Sequence, residues 1–245
     1  MSYSISNNLP FKHATLLQND PKFTVEIKPF TPLLVVFEGK PSTGKTTYAQ
    51  MLSEKLSSMH VNALDSKKYL HENTSLGRFI DLLSESFGEG KNPFTSAAIS
   101  MTHVLSYACE LSIALSNRSD YNVLIMQRMP EDFAFALGTF MRAQNGLNIL
   151  LGSASSLSRK LVNPDLIVYL RADGKTLSER AASRSDGKDK AHEILMGRDD
   201  GLLYQILKDR GSHFLEIDTG KRSMQENIEK ISTFVISLLR QGDKP

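Results

Sequence analysis

Gly39, Gly44, Lys45 and Thr46 satisfy the pattern G-x-x-x-x-G-K-[ST], and their chemistry is that of phosphate binding. The glycines let the backbone turn sharply, so that successive N–H groups converge as an anion nest. A helix opening at Gly44 adds the positive end of its dipole. Lys45 brings a point charge to β- and γ-phosphates, and the Thr46 hydroxyl is the expected Mg²⁺ ligand. The loop Gly39, Lys40, Pro41, Ser42, Thr43, Gly44, Lys45, Thr46 and Thr47 is therefore the expected ATP cradle. An accidental turn is the competing explanation. It does not account for the apolar run Leu33 to Phe37 before the loop or the helical pattern after it.

Arginines form the second group. Arg171, Arg180, Arg184 and Arg198 follow a later strand, and Arg180 and Arg184 stand four apart on one helix face. Behind them, about 185–200, lies a charged segment containing glycine that could close as a lid. Arginines brought in by a lid neutralise charge on a transferring phosphoryl group and exclude water. A solvated basic helix face is the alternative. Asp65 and Arg128 each follow a short apolar stretch. Asp65 could activate an acceptor hydroxyl or end a strand in a turn. Arg128 could meet phosphates or pair with Glu131 or Asp132. Glu38 could bond the loop or hold a metal-bound water. His192 and His213 show no metal-ligand spacing.

Positioning these residues requires a particular scaffold. Short apolar stretches at Leu33–Phe37, Val61–Leu64, Val123–Met126, Leu166–Leu170 and His213–Ile217 alternate with helical patterns. Such alternation predicts an α/β fold, a three-layer sandwich around a five-stranded parallel sheet. The expected helices are Thr46–Met59, Thr74–Phe87, Thr95–Ser116, 130–142, Leu147–Leu161, Lys175–Arg184, Leu202–Arg210 and Met224–Leu239. Right-handed crossovers then carry Asp65, Gln127-Arg128 and Arg171–Asp173 to the sheet edge that bears the loop. Residues 1–30 read as an extension, with a weak strand pattern at Phe23–Ile27. Residues 31–245 read as one domain.

Composition narrows the partners. The 245 residues carry 29 Lys and Arg against 27 Asp and Glu, a net charge of +2. That balance gives no reason to expect nucleic acid or a membrane surface. The single cysteine, Cys109, sits in an apolar helical stretch and reads as a buried core thiol. A reducing cytoplasm is the expected compartment, a small molecule the expected partner, and a homodimer the assembly expected if there is one. No N-K-x-D guanine-reading motif is present, which argues against a regulatory GTPase.

Order and spacing resemble the thymidylate kinase and deoxynucleoside kinase branch of P-loop kinases over residues 33–240. Phe37-Glu38-Gly39 through Lys45-Thr46-Thr47 is similar to its F-E-G-x-x-G-x-G-K-T-T. Thr74-Ser75-Leu76-Gly77 with Ile80 and Leu82-Leu83 resembles T-x-L-G-x-x-I-x-x-L-L, and Ala134 to Gly138 resembles A-Y-Q-G. Asn163-Pro164-Asp165-Leu166 and Glu179-Arg180 to Arg184 resemble its P-D-L strand and E-R-x-x-x-R lid helix. Phe214 to Asp218 matches its last strand. The resemblance implies a P-loop kinase using ATP and Mg²⁺, with Lys45, Arg128, Arg180, Arg184 and Asp65 as catalytic residues. The acceptor it implies is a nucleoside or nucleoside monophosphate. Departures affect the acceptor half. Gln127 replaces the acid of Asp-Arg, the Arg-Glu-Pro after the second strand is missing, and His103 and Leu105 stand where thymine is read. Two other functions remain open: a nucleotide-binding protein of this fold with little catalysis, and a kinase of a non-nucleotide metabolite.

Overall fold

The computed structural model describes residues 32–74, 78, 106, 108–110, 112–113, 120–132, 163–183, 199–210 and 213–242. Within them the order is β1 (Leu33–Glu38), α1 (Lys45–Ser58), β2 (Ala63–Asp65), α2 (Ser66–Asn73), β3 (Val123–Gln127) and β4 (Leu166–Arg171). Then follow α3 (Gly174–Ala182), α4 (Gly201–Lys208), β5 (His213–Asp218) and α5 (Met224–Gly242). The strands form one five-stranded sheet in the order β2-β3-β1-β4-β5. Every neighbouring pair is parallel, as the continuous apolar stretches require.

Alternate side chains of the central strand serve opposite faces. Val35 and Phe37 pack against Tyr48, Leu52 and Leu56 of α1 and Ile228, Ile231 and Val235 of α5. Val36 joins Leu124, Met126, Ile167 and Tyr169 beneath Leu203 and Leu207 of α4. The sheet is thus covered on both faces, and β1, which ends in the loop, is held in its middle.

Local signals set the helix ends. α1 closes in a Schellman motif, with Val61 N–H donating to Leu56 O and His60 N–H to Ser57 O, both at 3.0 Å. His60 takes the left-handed conformation usual for glycine there, φ 60°. α5 opens with a capping box. Glu226 N–H donates to Ser223 Oγ at 3.2 Å, and Ser223 N–H to Glu226 Oε2 at 2.9 Å.

The strand boundaries expected from sequence are met to within a residue or two. α2 is the main omission. The chain passes from β2 straight into a helix, and Thr74, expected to open one, is its C-cap. Asp65 Oδ1 accepts from Lys67 N–H at 3.1 Å and Lys68 N–H at 3.2 Å, capping that helix. Cys109 is half-buried, not a core thiol. Residues 1–30, the helix expected at 147–161 and lid positions 185–198, with Arg184, His192 and Arg198, lie outside the described residues, as do His103 and Leu105. Among the described residues no helix is long and apolar enough to cross a membrane. No group of three His, Cys, Asp or Glu among them could hold a metal ion.

Candidate active site

The loop between β1 and α1 takes the conformation its residues suggest. Gly39, Ser42 and Gly44 have φ of 135°, 62° and 95°. At Gly39 a Cβ would lie 2.1 Å from Leu170 O, so only glycine lets the loop leave β1 this close to β4. Gly44 is the N-cap of α1 and supplies no side-chain cap, so the first-turn N–H groups are not taken by a capping side chain. Lys45 is buried and its Nζ reaches back across the loop, donating to Gly39 O at 2.5 Å and Lys40 O at 2.8 Å. Thr43 Oγ1 donates to Lys40 O at 2.8 Å and tightens the turn. Thr46 and Thr47 are exposed at the start of the helix.

Strand register brings the next residues in. Phe37 pairs with Gln127, and Phe37 O accepts from Arg128 N–H at 2.9 Å. Gln127 is therefore beside the loop, where Thr46 Oγ1 donates to its Oε1 at 2.9 Å. Its Nε2 is buried with no hydrogen-bond partner among the described residues. An amide at this position offers a donor where a carboxylate would offer only acceptors. A hydroxyl that donates to Gln127 keeps its oxygen lone pairs for a cation, so the Thr46 arrangement fits a Mg²⁺ ligand.

Two carboxylates lie beneath the loop. Glu38 is fully buried, and its Oε1 accepts from Met129 N–H. Burial, then the nearby Asp132 carboxylate, push its pKa well above the usual range, while Lys45, the Met129 bond and Arg128 pull the other way. Asp132 is buried and lies 3.7 Å from Arg128 Nε. Of the two partners expected for Arg128, the structure gives it Asp132. Glu131 is taken instead by Arg210, in an ion pair buried on both sides. Arg128 itself has φ 71°, left-handed for a bulky residue. Strain of this kind persists where the surroundings fix it, often at functional sites.

Arg180 is half-buried. Its guanidinium donates to Thr219 Oγ1 at 2.9 Å and Thr219 O at 2.8 Å, tying α3 to the turn after β5. Burial raises the pKa of Tyr48 in α1, opposed by its bond from Asn227 and by the nearby Arg180. Arg171 pairs with Glu216 at 2.8 Å, on the same far side of the sheet.

On the opposite side, Asp65 ends β2 and caps α2. Burial raises its pKa, opposed by its two backbone bonds and by Lys67 and Lys68. Glu110 was not singled out by sequence. It is buried and accepts from Ser106 Oγ at 3.2 Å. A carboxylate amid helical residues reads as solvated surface, and only the tertiary packing reveals otherwise.

The elements thus bring together the loop, Lys45, Thr46, Gln127, Arg128 and Glu38, with Asp65 at the end of the neighbouring outer strand and Arg180 across the sheet.

No family model matches the chain. A putative adenylate kinase of Pyrococcus furiosus is 24% identical over 213 residues, covering 86% of this chain and 87% of that protein. One from Thermococcus kodakarensis is 22% identical over 213 residues, covering 86% and 88%. Structures of deoxyadenosine kinase from M. mycoides share the architecture. The dATP-bound form gives a TM-score of 0.56 at 16% identity, over 83% of this chain and 99% of that one. The dCTP-bound form gives 0.51 at 18%, over 84% and 100%. The chain thus has an α/β P-loop kinase fold.

Proposed function

We propose that the protein transfers the γ-phosphoryl group of ATP to a small acceptor, a nucleoside or nucleoside monophosphate. The observation that carries this reading is the loop itself. Positive φ at Gly39, Ser42 and Gly44, a first turn of α1 without a side-chain cap, and Lys45 across the loop together suit a triphosphate. The similarity to a putative adenylate kinase and to deoxyadenosine kinase supports the same class of chemistry.

Lys40, Pro41, Ser42, Thr43 and Thr47 complete the cradle around Gly39, Gly44 and Lys45. Mg²⁺, held by Thr46 Oγ1 and phosphate oxygens, would neutralise charge on the phosphates. Lys45 moves its ammonium from the loop carbonyls to those phosphates. Gln127 Nε2 and Arg128 offer donors on the acceptor side of the loop. Arg180 fixes the donor side by holding Thr219, and Arg184, four residues on in the sequence, is the arginine that clamps the transferring group. Asp65 orders the start of α2 with Oδ1 and presents its carboxyl to the acceptor.

The second reading is a nucleotide-binding protein with little catalysis. It is favoured by one feature: an amide, not a carboxylate, receives the Thr46 hydroxyl. The kinase reading is tested by measuring ADP release with ATP and Mg²⁺ across nucleosides, nucleoside monophosphates and common metabolites. Acceptor-dependent release from a nucleoside or monophosphate supports it. ATP binding without release from any acceptor favours the second reading.

A further inference from the structure

Glu110 lies in helical residues 108–110, upstream of β3, and is 4% exposed. Ser106 Oγ donates to its Oε1 at 3.2 Å, while its Oε2 has no hydrogen-bond partner among the described residues. Lys67, Asp65 and Arg128 act on it electrostatically, and the Cys109 thiol, next in the chain, feels its charge. Lys67 is in the first turn of α2, Asp65 ends β2 and Arg128 follows β3. These groups share the carboxyl edge of the sheet, on the side of the P-loop away from β4 and β5. Gln127 Nε2, also buried and without a hydrogen-bond partner, lies along the same edge.

A buried carboxyl oxygen with no donor is costly, and a core residue could fill its volume without that cost. The charges around it do not favour an anion. Three cations, Lys67, Lys68 and Arg128, are set against three carboxyl groups, Asp65, Asp132 and Glu110, so little net positive charge is left for a phosphate. A ligand suited to this edge brings a hydrogen-bond donor and no charge. We infer that Glu110 is an acceptor-specificity residue, whose Oε2 takes a hydrogen bond from a hydroxyl or amino group of a neutral, nucleoside-type acceptor held between the ends of β2 and β3. This rests on the kinase reading and selects, within it, a nucleoside over a monophosphate.

Burial, the first cause, raises the Glu110 pKa to about 7, with Asp65 adding to it and Lys67, Ser106 and Arg128 opposing. The contact is strongest when Glu110 is ionised, so acceptor affinity rises with pH through that range.

The experiment is calorimetric binding of adenosine, deoxyadenosine and AMP to the full chain saturated with a non-hydrolysable ATP analogue, from pH 5.5 to 8.5. At least one nucleoside should bind about tenfold more tightly at pH 8.5 than at 5.5, and more tightly than AMP. Glu110→Gln should lose about tenfold at pH 8.5 and bind independently of pH. Ser106→Ala removes a bond that favours the charged form, so its midpoint should move upward, which a purely structural role for Glu110 would not produce. With analogue binding intact, any of three results overturns the inference alone: no nucleoside bound, a flat pH profile in the parent, or unchanged affinity in Glu110→Gln. Failure to bind the analogue overturns the kinase reading with it.

Discussion

Glu110→Gln should make the protein more stable at neutral and alkaline pH. In the unfolded chain this carboxyl titrates near 4.5; in the fold it titrates at about 7. The folded state therefore holds its proton more tightly, and stability falls as pH rises from the lower value to the upper one. The gap of about 2.5 corresponds to roughly 3 kcal/mol once both states are ionised. Glutamine has the same shape, can keep the Ser106 bond and does not titrate. Parent and variant should thus differ little near pH 4.5 and diverge by up to about 3 kcal/mol above pH 7.5. For a chain of this size that is roughly 10 °C in Tm. Urea unfolding of both proteins, followed by circular dichroism from pH 5 to 8.5, measures the difference directly. A difference that does not change with pH would refute the reasoning, whatever its size. A residue that costs stability at working pH is best explained by function.

Gly39→Ala puts a methyl group 2.1 Å from Leu170 O at φ 135°; this should cost about 3–5 kcal/mol and weaken ATP binding. Gly174→Ala, with nothing within 4 Å, should be neutral or slightly stabilising in the same urea unfolding measurement. Asp65→Ala loses the cap of α2 and should cost about 1 kcal/mol, whereas Asp65→Asn keeps a cap. A fall in turnover with Asp65→Asn would therefore report on chemistry, and unchanged turnover would leave Asp65 a capping residue. Gln127→Asp restores a carboxylate beside Thr46 and should raise turnover at limiting Mg²⁺; steady-state rates against Mg²⁺ concentration check this.

The frame of the site was legible because its signals are local. Leu33 to Phe37, the glycine spacing and Lys45-Thr46 are contiguous, and the loop they predict is the loop observed. The other strands were legible as apolar stretches of the length a doubly covered sheet demands. α2 was missed because it is polar, with Leu70 its one buried hydrophobic residue. Asp65 could have announced it, since an N-cap residue directly after a strand is a helix start signal. The Arg210–Glu131 pair joins residues 79 apart in sequence, and charge patterning offers no way to choose that partner over Arg128. Glu110 was hidden for a similar reason: its neighbours Asp65, Lys67 and Arg128 are assembled by sheet topology, not by spacing along the chain.

Phosphoryl transfer itself is the claim on which the rest depends. ATP carrying an isotopic label in its γ-phosphoryl group, incubated with Mg²⁺, the protein and a panel of nucleosides and monophosphates, allows products to be read by mass spectrometry. The account predicts a labelled phosphorylated acceptor with the parent. It predicts a loss of at least a hundredfold with Lys45→Ala, since a charged contact in a partly desolvated site contributes on the order of 3 kcal/mol. ATP bound by the parent with no labelled acceptor formed, or equal labelling by Lys45→Ala, would contradict it.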